Sequence, residues 1–246
     1  MSRLKLSFLG AVQVTLDGEP VRTFRSIKAQ ALLAYLAVES NRPHSREVLA
    51  DLFWPHSHAT ARQNLRQTVR RLRLALGDGG SQAARATPFL STTWRALQFN
   101  RESDHWLDVA EFLACLEQGQ WERAVALYRG PFLEGLCLDG GGDFEGWVTL
   151  VREQLHCQAL GALGQLVQHY QSLADHERAQ TYARRQLTLD PWQEQAHRQL
   201  MLALASSGQR VAALAQYEVY RRSLVEGLGL EPSAETTALY AHIRDG

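Results

Sequence analysis

Residues 45–77 read SREVLADLFWPHSHATARQNLRQTVRRLRLALG, and this stretch decides the architecture of the N-terminal part of the chain. Ser45 stands where a helix N-cap belongs, ahead of a short apolar pattern at Val48, Leu49, Leu52 and Phe53. Trp54-Pro55 closes that helix, because the residue before a proline is pushed out of the helical region. A tight turn over 54–57 leads into a longer helix, predicted from about His58 to Leu76 and stopped by Gly77-Asp78-Gly79-Gly80. Ala61, Leu65, Val69, Leu72 and Leu76 recur at three- and four-residue spacing, a stripe that must face a core.

The opposite face carries the chemistry. It presents Gln63, Gln67 and Arg70, flanked by Thr60, Arg66 and Arg71. Five arginines fall in twelve residues (Arg62, Arg66, Arg70, Arg71, Arg73), and no acidic residue lies between Asp51 and Asp78. A solvated helix gains from alternating charge at i,i+4, and this one forgoes every such pair. A polyanion would supply the missing charge. Arginine pairs bidentately with guanine, glutamine or asparagine with adenine, and threonine contacts the thymine methyl. Thr60, Gln63, Asn64, Arg66, Gln67, Arg70 and Arg71 are therefore the candidates for base readout. A short helix, a tight turn and a longer basic helix make a helix-turn-helix, whose second helix enters the major groove. The alternative is a solvated arginine face on a structural helix, and the elements on either side argue against it.

Those elements begin with alternating residues, Leu4, Leu6 and Phe8, then Val12, Val14 and Leu16, with Asp17-Gly18 turning into a short third strand near Val21. A helix is predicted over 26–39, with Ile27, Ala31, Leu32, Tyr35 and Leu36 on its apolar face. After a loop, Phe89–Ser91 and Leu97–Phe99 read as a hairpin around Thr92–Arg95, placed to act as a wing. Lys28, Ser45, Arg46, Arg62, Arg73, Thr93 and Arg95 are the candidates for phosphate or wing contacts.

From Trp106 onward only helices are predicted, over about 107–118, 120–128, 144–173, 176–189, 193–207, 210–227 and 233–244. An internal repeat runs through them. Ala179 and Ala213 mark comparable second helices 34 residues apart, and Gly119–Ala124 resembles Gly208–Ala213. With Tyr170 and Pro191 flanking Ala179, this is a degenerate tetratricopeptide pattern lacking its usual glycine at the eighth position. Stacked helix pairs of this kind leave a concave surface for a peptide or another domain.

The 246 residues carry 26 basic and 26 acidic side chains, but unevenly: fourteen against six in residues 1–100, and twelve against twenty after that. A basic part followed by an acidic part points to two domains with different partners, 1–101 and 102–246. No apolar run reaches the length of a membrane helix, and no signal peptide is visible. Three cysteines (Cys115, Cys137, Cys157) give neither a disulfide framework nor zinc-ligand spacing, as expected of a reducing cytoplasm. His56-x-His58 lacks further ligands nearby, and Asp139–Gly142 lacks the Gly-Lys-Ser/Thr of a phosphate loop. Trp121, Trp147 and Trp192 read as packing anchors. No nucleophile, carboxylate pair, cofactor motif or metal set stands out, so the expectation is a non-enzyme without cofactor.

The stretches FLGAVQVTLDGEPV, KAQALLAYLAV, SREVLADLFWP, ARQNLRQTVRRLRLALG, ALYRGPFLEGL, LDPWQEQAHRQLMLALASSGQRVAALAQYEVYRRSL and LGLEPSAETTALY together resemble the Streptomyces antibiotic regulatory protein family. That resemblance implies a mainly α chain. An OmpR-type winged helix with a small sheet and wing hairpin would come first, followed by a tetratricopeptide-like bacterial transcriptional activator domain. It also implies an activator that sits on direct repeats in promoter DNA, as a homodimer there, and contacts RNA polymerase. Two rival readings stay open: a protein-interaction scaffold, and the DNA-binding and relay segment of a larger nucleotide-dependent regulator.

Overall fold

The computed structural model describes residues 3–21, 26–56, 59–78, 87–138 and 142–245. The chain divides into two compact units. The first comprises residues up to 118 together with 126–156, and the second comprises 119–125 together with 157 onward.

The first unit opens with strands β1 (Leu4–Ser7), β2 (Gln13–Leu16) and β3 (Glu19–Pro20). Asp17-Gly18 makes the turn between β2 and β3 in left-handed backbone, with φ of 54° and 89°. The third strand is thus Glu19–Pro20, one residue ahead of its expected centre, because the two-residue turn fixes where pairing resumes. A strand β7 (His105–Leu107) runs parallel to β1, pairing Leu4 with His105 and Leu6 with Leu107, and completes a sheet ordered β3-β2-β1-β7. Periodicity predicts only helices from Trp106 onward; three residues of strand leading straight into helix α4 (Asp108–Glu117) show too little alternation to register. Leu4, Leu6 and Phe8 are fully buried, which is what the alternation required, and Leu9, outside that alternation, is fully buried as well.

Helix α1 (Ile27–Val38) buries every residue from Ala31 to Ala37. Tyr35 stands edge-on to Phe53 and to Trp147, and the Trp147 indole donates to the Glu39 carboxylate at 2.9 Å. Trp147 is therefore the packing anchor expected of it. A two-residue strand β4 (His44–Ser45) precedes helix α2 (Arg46–Phe53), and helix α3 covers Ala61–Ala75. Strands β5 (Leu90–Thr92) and β6 (Ala96–Phe99) form the hairpin; β4 pairs with β6, giving a three-stranded sheet ordered β4-β6-β5. Two further helices follow α4 in sequence, the short α5 (Trp121–Leu127) and the long α6 (Gly142–Ser172).

One buried carboxylate organises the start of the chain. Asp108 accepts from the backbone N–H groups of Phe8 and Leu9 at 2.7–2.8 Å, with the Arg129 guanidinium 3.5 Å away. Burial pushes its carboxyl above the ordinary range, while those amides and Arg129 pull the other way.

The second unit is helical. Helices α7 (His176–Leu189), α8 (Glu194–Ser206), α9 (Arg210–Leu228) and α10 (Ala234–Asp245) pack in succession. Ala179, Ala183, Ala196, Ala203 and Ala213 are buried, small enough to let neighbouring helices approach closely. The repeat turns share one backbone feature, a left-handed residue at Gly119 (φ 69°), Ala174 (φ 56°) and Gly208 (φ 77°). Alanine thus occupies in one repeat a conformation that glycine supplies in the others.

Candidate nucleic-acid interface

The basic surface is built on α3. Ala61, Leu65, Thr68, Val69 and Leu72 turn inward, joined by Leu76 beyond the last turn, and α3 packs on α1 and α2. Burying that stripe fixes the helix about its axis. Arg62, Gln63, Arg66, Gln67, Arg70 and Arg71 are consequently exposed together. Thr60 is the N-cap residue; Asn64 is half-buried, and its amide donates to the Thr60 hydroxyl at 3.4 Å. The helix starts three residues later than expected. His58 lies outside the described residues, as do Ser57, residues 79–86 and Asp139–Gly141.

A cleft of about 360 Å³ is lined by Arg46, Arg66, Val69, Arg70, Arg73, Leu74 and Thr92. Four arginines therefore line one space, Arg46 from α2 and Arg66, Arg70 and Arg73 from α3, with Thr92 of β5 beside them. Burial, then the like charge of Arg66, holds the Arg46 guanidinium below its ordinary pKa. Such crowding of like charge stores an attraction for an anion. A second cleft, of about 690 Å³, opens among Ser45, Arg46, Arg62, Leu65, Trp94 and Arg95.

Several candidate cations already have intramolecular partners. Arg62 pairs with Glu47 at 2.5 Å, both side chains exposed, a contact worth little and easily exchanged for a phosphate. Arg46 donates to the Thr93 carbonyl at 2.9 Å, tying α2 to the wing, and Arg73 donates to the Asp78 carbonyl at 3.0 Å. Ser45 caps α2 as expected, accepting from the Glu47 N–H at 3.3 Å. Lys28 is placed apart from the two clefts: its ammonium donates to the Phe53 carbonyl at 3.0 Å and sits over the Trp54 ring. Thr93 and Arg95 stand at the hairpin tip, Thr93 bonded across the turn to Ala96.

Two residues of this surface carry no signal in helical periodicity. Asp78, read only as part of a helix stop, is buried, and its carboxylate accepts from the N–H groups of Phe89 and Leu90 at 2.9 and 3.1 Å. It anchors the first strand of the wing at the end of α3. Trp94 stands exposed at the wing tip, with the Arg95 guanidinium over its ring at 4.0 Å. An indole beside an arginine in a predicted turn was the available signal. Among the described residues no group of three or more His, Cys, Asp or Glu side chains is placed to hold a metal, and no helix is long and apolar enough to cross a membrane.

Comparison with known proteins agrees with this arrangement. A family model described as bacterial transcriptional activator domain matches residues 107–244, and one described as transcriptional regulatory protein, C terminal, matches residues 23–94. Over 257 residues the chain is 28% identical to the transcriptional regulatory protein EmbR of Mycobacterium tuberculosis, covering 98% of this chain and 63% of that protein. It is 25% identical over 262 residues to the transcriptional regulatory protein MoaR1 of the same species, covering 98% of this chain and 79% of that one. The solved structure of M. tuberculosis EmbR in complex with a low-affinity phosphopeptide shares the fold. Its TM-score is 0.70 at 23% identity, over 99% of this chain and 65% of that chain. The chain thus spans a little under two thirds of the EmbR relatives. It belongs to the bacterial transcriptional activator domain family and, with the regulatory match ahead of that domain, to the Streptomyces antibiotic regulatory proteins.

Proposed function

We propose that this chain is a sequence-specific, double-stranded-DNA-binding transcriptional regulator, an activator that reads promoter direct repeats through α3. The observation that carries the reading is the exposed α3 face, free of acidic side chains from Arg62 to Arg73 and edged by the Arg46–Arg66–Arg70–Arg73 cleft. Gln63, Asn64, Gln67, Arg70 and Arg71, with Thr60 and Arg66, are assigned to base edges. Ser45, Arg46, Arg62, Arg73, Thr93 and Arg95 are assigned to phosphates and the wing, with Lys28 the weakest member of that set because of its contacts with Phe53 and Trp54. In this reading residues 1–101 bind DNA and the acidic residues 102–246 bind protein, either RNA polymerase or a second copy on the adjacent repeat. The role is non-catalytic, needs no cofactor, and is exercised in the cytoplasm.

Selection of bound duplexes from random sequence tests it. A recovered motif is the expected result, with Arg70→Ala losing about 1–3 kcal/mol on that motif and little on unrelated DNA. Equal weakening on all sequences would make Arg70 a phosphate contact; recovery of no motif would remove sequence-specific reading.

A further inference from the structure

The cleft of about 360 Å³ beside α3 is lined by Arg46, Arg66, Arg70 and Arg73 with Val69, Leu74 and Thr92, and no acidic side chain is among them. Arg66, Arg70 and Arg73 follow one another at four and three residues along α3, and so share a face of that helix. Two of the four arginines are held in place. Arg46 donates its Nε–H to the Thr93 carbonyl at 2.9 Å, and Arg73 donates from Nη2 to the Asp78 carbonyl at 3.0 Å. The other two, Arg66 and Arg70, make no hydrogen bond or ion pair with another described residue. Arg73 also keeps one donor unused: its Nε–H is buried and has no hydrogen-bond partner among the described residues. A buried donor left unpaired is costly, and an anion seated in the cleft supplies acceptors to the guanidinium that carries it.

The charge gathered here exceeds what duplex DNA offers at one place. Each backbone phosphate carries a single negative charge, and successive phosphates of one strand are spaced about 3.4 Å along the axis. Four arginines around so small a space match a compact anion with several charges on linked phosphates, whose oxygens arginine binds bidentately. The volume lies within the range of small-molecule sites, and Val69 and Leu74 give the cleft an apolar wall.

We propose that this cleft binds a soluble oligophosphate, a chain of three or more linked phosphates either free or at the end of a nucleotide, and that its occupant displaces DNA from α3. The displacement follows from shared side chains. Arg66 and Arg70 are the residues assigned to base edges and Arg46 and Arg73 those assigned to backbone phosphates, and they cannot serve both ligands at once. That half of the proposal rests on the DNA-binding reading; the site itself does not. Linkage requires DNA to lower the affinity for oligophosphate by the same factor as oligophosphate lowers that for DNA.

Calorimetric titration of the full chain with inorganic triphosphate, at constant ionic strength and without divalent cations, reads the site directly. Saturable binding at a single site is expected, with sulfate at matched ionic strength giving none. Arg66→Ala and Arg70→Ala are each expected to weaken triphosphate binding about tenfold or more, the loss of a charge-assisted contact. Both side chains are exposed and unbonded, so these variants keep the fold, which their circular dichroism verifies. Arg62→Ala and Arg71→Ala take the same charge from the same surface outside the cleft, and are expected to leave triphosphate affinity unchanged. A nucleoside triphosphate separates the two sources: tighter binding than triphosphate assigns the apolar wall to a nucleoside, and equal binding assigns the phosphate chain alone. Fluorescence anisotropy of the chain on its selected duplex then reads competition, with triphosphate releasing DNA at concentrations where sulfate does not. Failure of the wild type to bind triphosphate, or an equal loss in all four variants, overturns the site while leaving DNA binding intact. Triphosphate bound without release of DNA overturns the displacement. A chain that binds triphosphate as expected but no duplex overturns the DNA-binding reading and leaves the site standing.

Discussion

Replacing Asp78 with alanine tests how the wing is held. Its carboxylate is the acceptor for two backbone amides, Phe89 N–H at 2.9 Å and Leu90 N–H at 3.1 Å, on residues that are themselves buried. Removing an acceptor from a buried donor costs about 1–3 kcal/mol, and a hydrogen bond to a charged group lies in the upper part of that range. Two such bonds give a gross loss of about 4 kcal/mol; returning the carboxylate's own desolvation cost lowers the expected net to about 3 kcal/mol. The Arg73 bond to the Asp78 carbonyl is to the main chain and survives the change. Asp78→Asn keeps one acceptor oxygen and should lose about half as much. The assay is urea unfolding followed by circular dichroism, with the m-value checked for constancy. Since β5 carries the wing, Asp78→Ala should also weaken DNA binding at temperatures where the rest of the chain stays folded. A stability loss below about 1 kcal/mol would refute the reasoning, because the two amides would then have found other acceptors or water.

Other expectations follow from single groups. Asp108→Asn leaves one of the Phe8 and Leu9 amides poorly matched and should cost about 1–3 kcal/mol in the same unfolding experiment. Because the folded-state pKa of Asp108 is raised, its contribution is fullest below the ordinary carboxylate value and falls as pH rises through the folded one; the wild type should therefore gain on Asp108→Asn as pH is lowered. Ala174→Gly relieves a left-handed alanine at φ 56° and should stabilise the chain by about 0.5–1 kcal/mol, while Gly208→Ala at φ 77° should destabilise it by a similar amount, both measurable as shifts in unfolding midpoint. His197 is stacked on Tyr220 and bonded at both ring nitrogens, to the Pro191 carbonyl and to the Gln216 amide. Burial holds its pKa below the ordinary 6.5, so the stability it contributes is complete above that value and is lost as pH falls beneath it. His197→Gln should flatten that acid limb of the stability–pH curve.

The legible parts of the fold were those written in periodicity. The α3 stripe, the Ser45 cap, the hairpin and the helices of the second unit all follow from spacing of apolar residues and from turn chemistry, and each lies within a few residues of its expected place. The illegible parts were two- and three-residue strands. β4 and β7 are too short to show alternation, and their existence depends on partners distant in sequence, β6 and β1. The same holds for the interface. Exposure of Gln63, Arg66, Gln67 and Arg70 is dictated by the buried face of their own helix. The places of Lys28, Arg62 and Arg73 depend on Phe53, Glu47 and Asp78, contacts that helical periodicity does not encode. Asp78 and Asp108 are ordinary acids in sequence; tertiary structure makes each a buried acceptor for main-chain amides distant in sequence, Phe89 and Leu90 for the one and Phe8 and Leu9 for the other.

The central claim is that α3 and its flanking arginines form a DNA surface. Fluorescence anisotropy of the full chain with labelled duplex DNA across a salt series tests it most directly. Each phosphate contacted should contribute about −0.9 to the slope of log affinity against log salt, so engagement by the four arginines assigned to phosphates, Arg46, Arg62, Arg73 and Arg95, gives a slope of about −3.6. Reversing the charge with a combined Arg66→Glu and Arg70→Glu variant should abolish binding while leaving the helical content unchanged. Absence of binding by the wild-type chain at low salt, or binding that survives this reversal, would contradict the account.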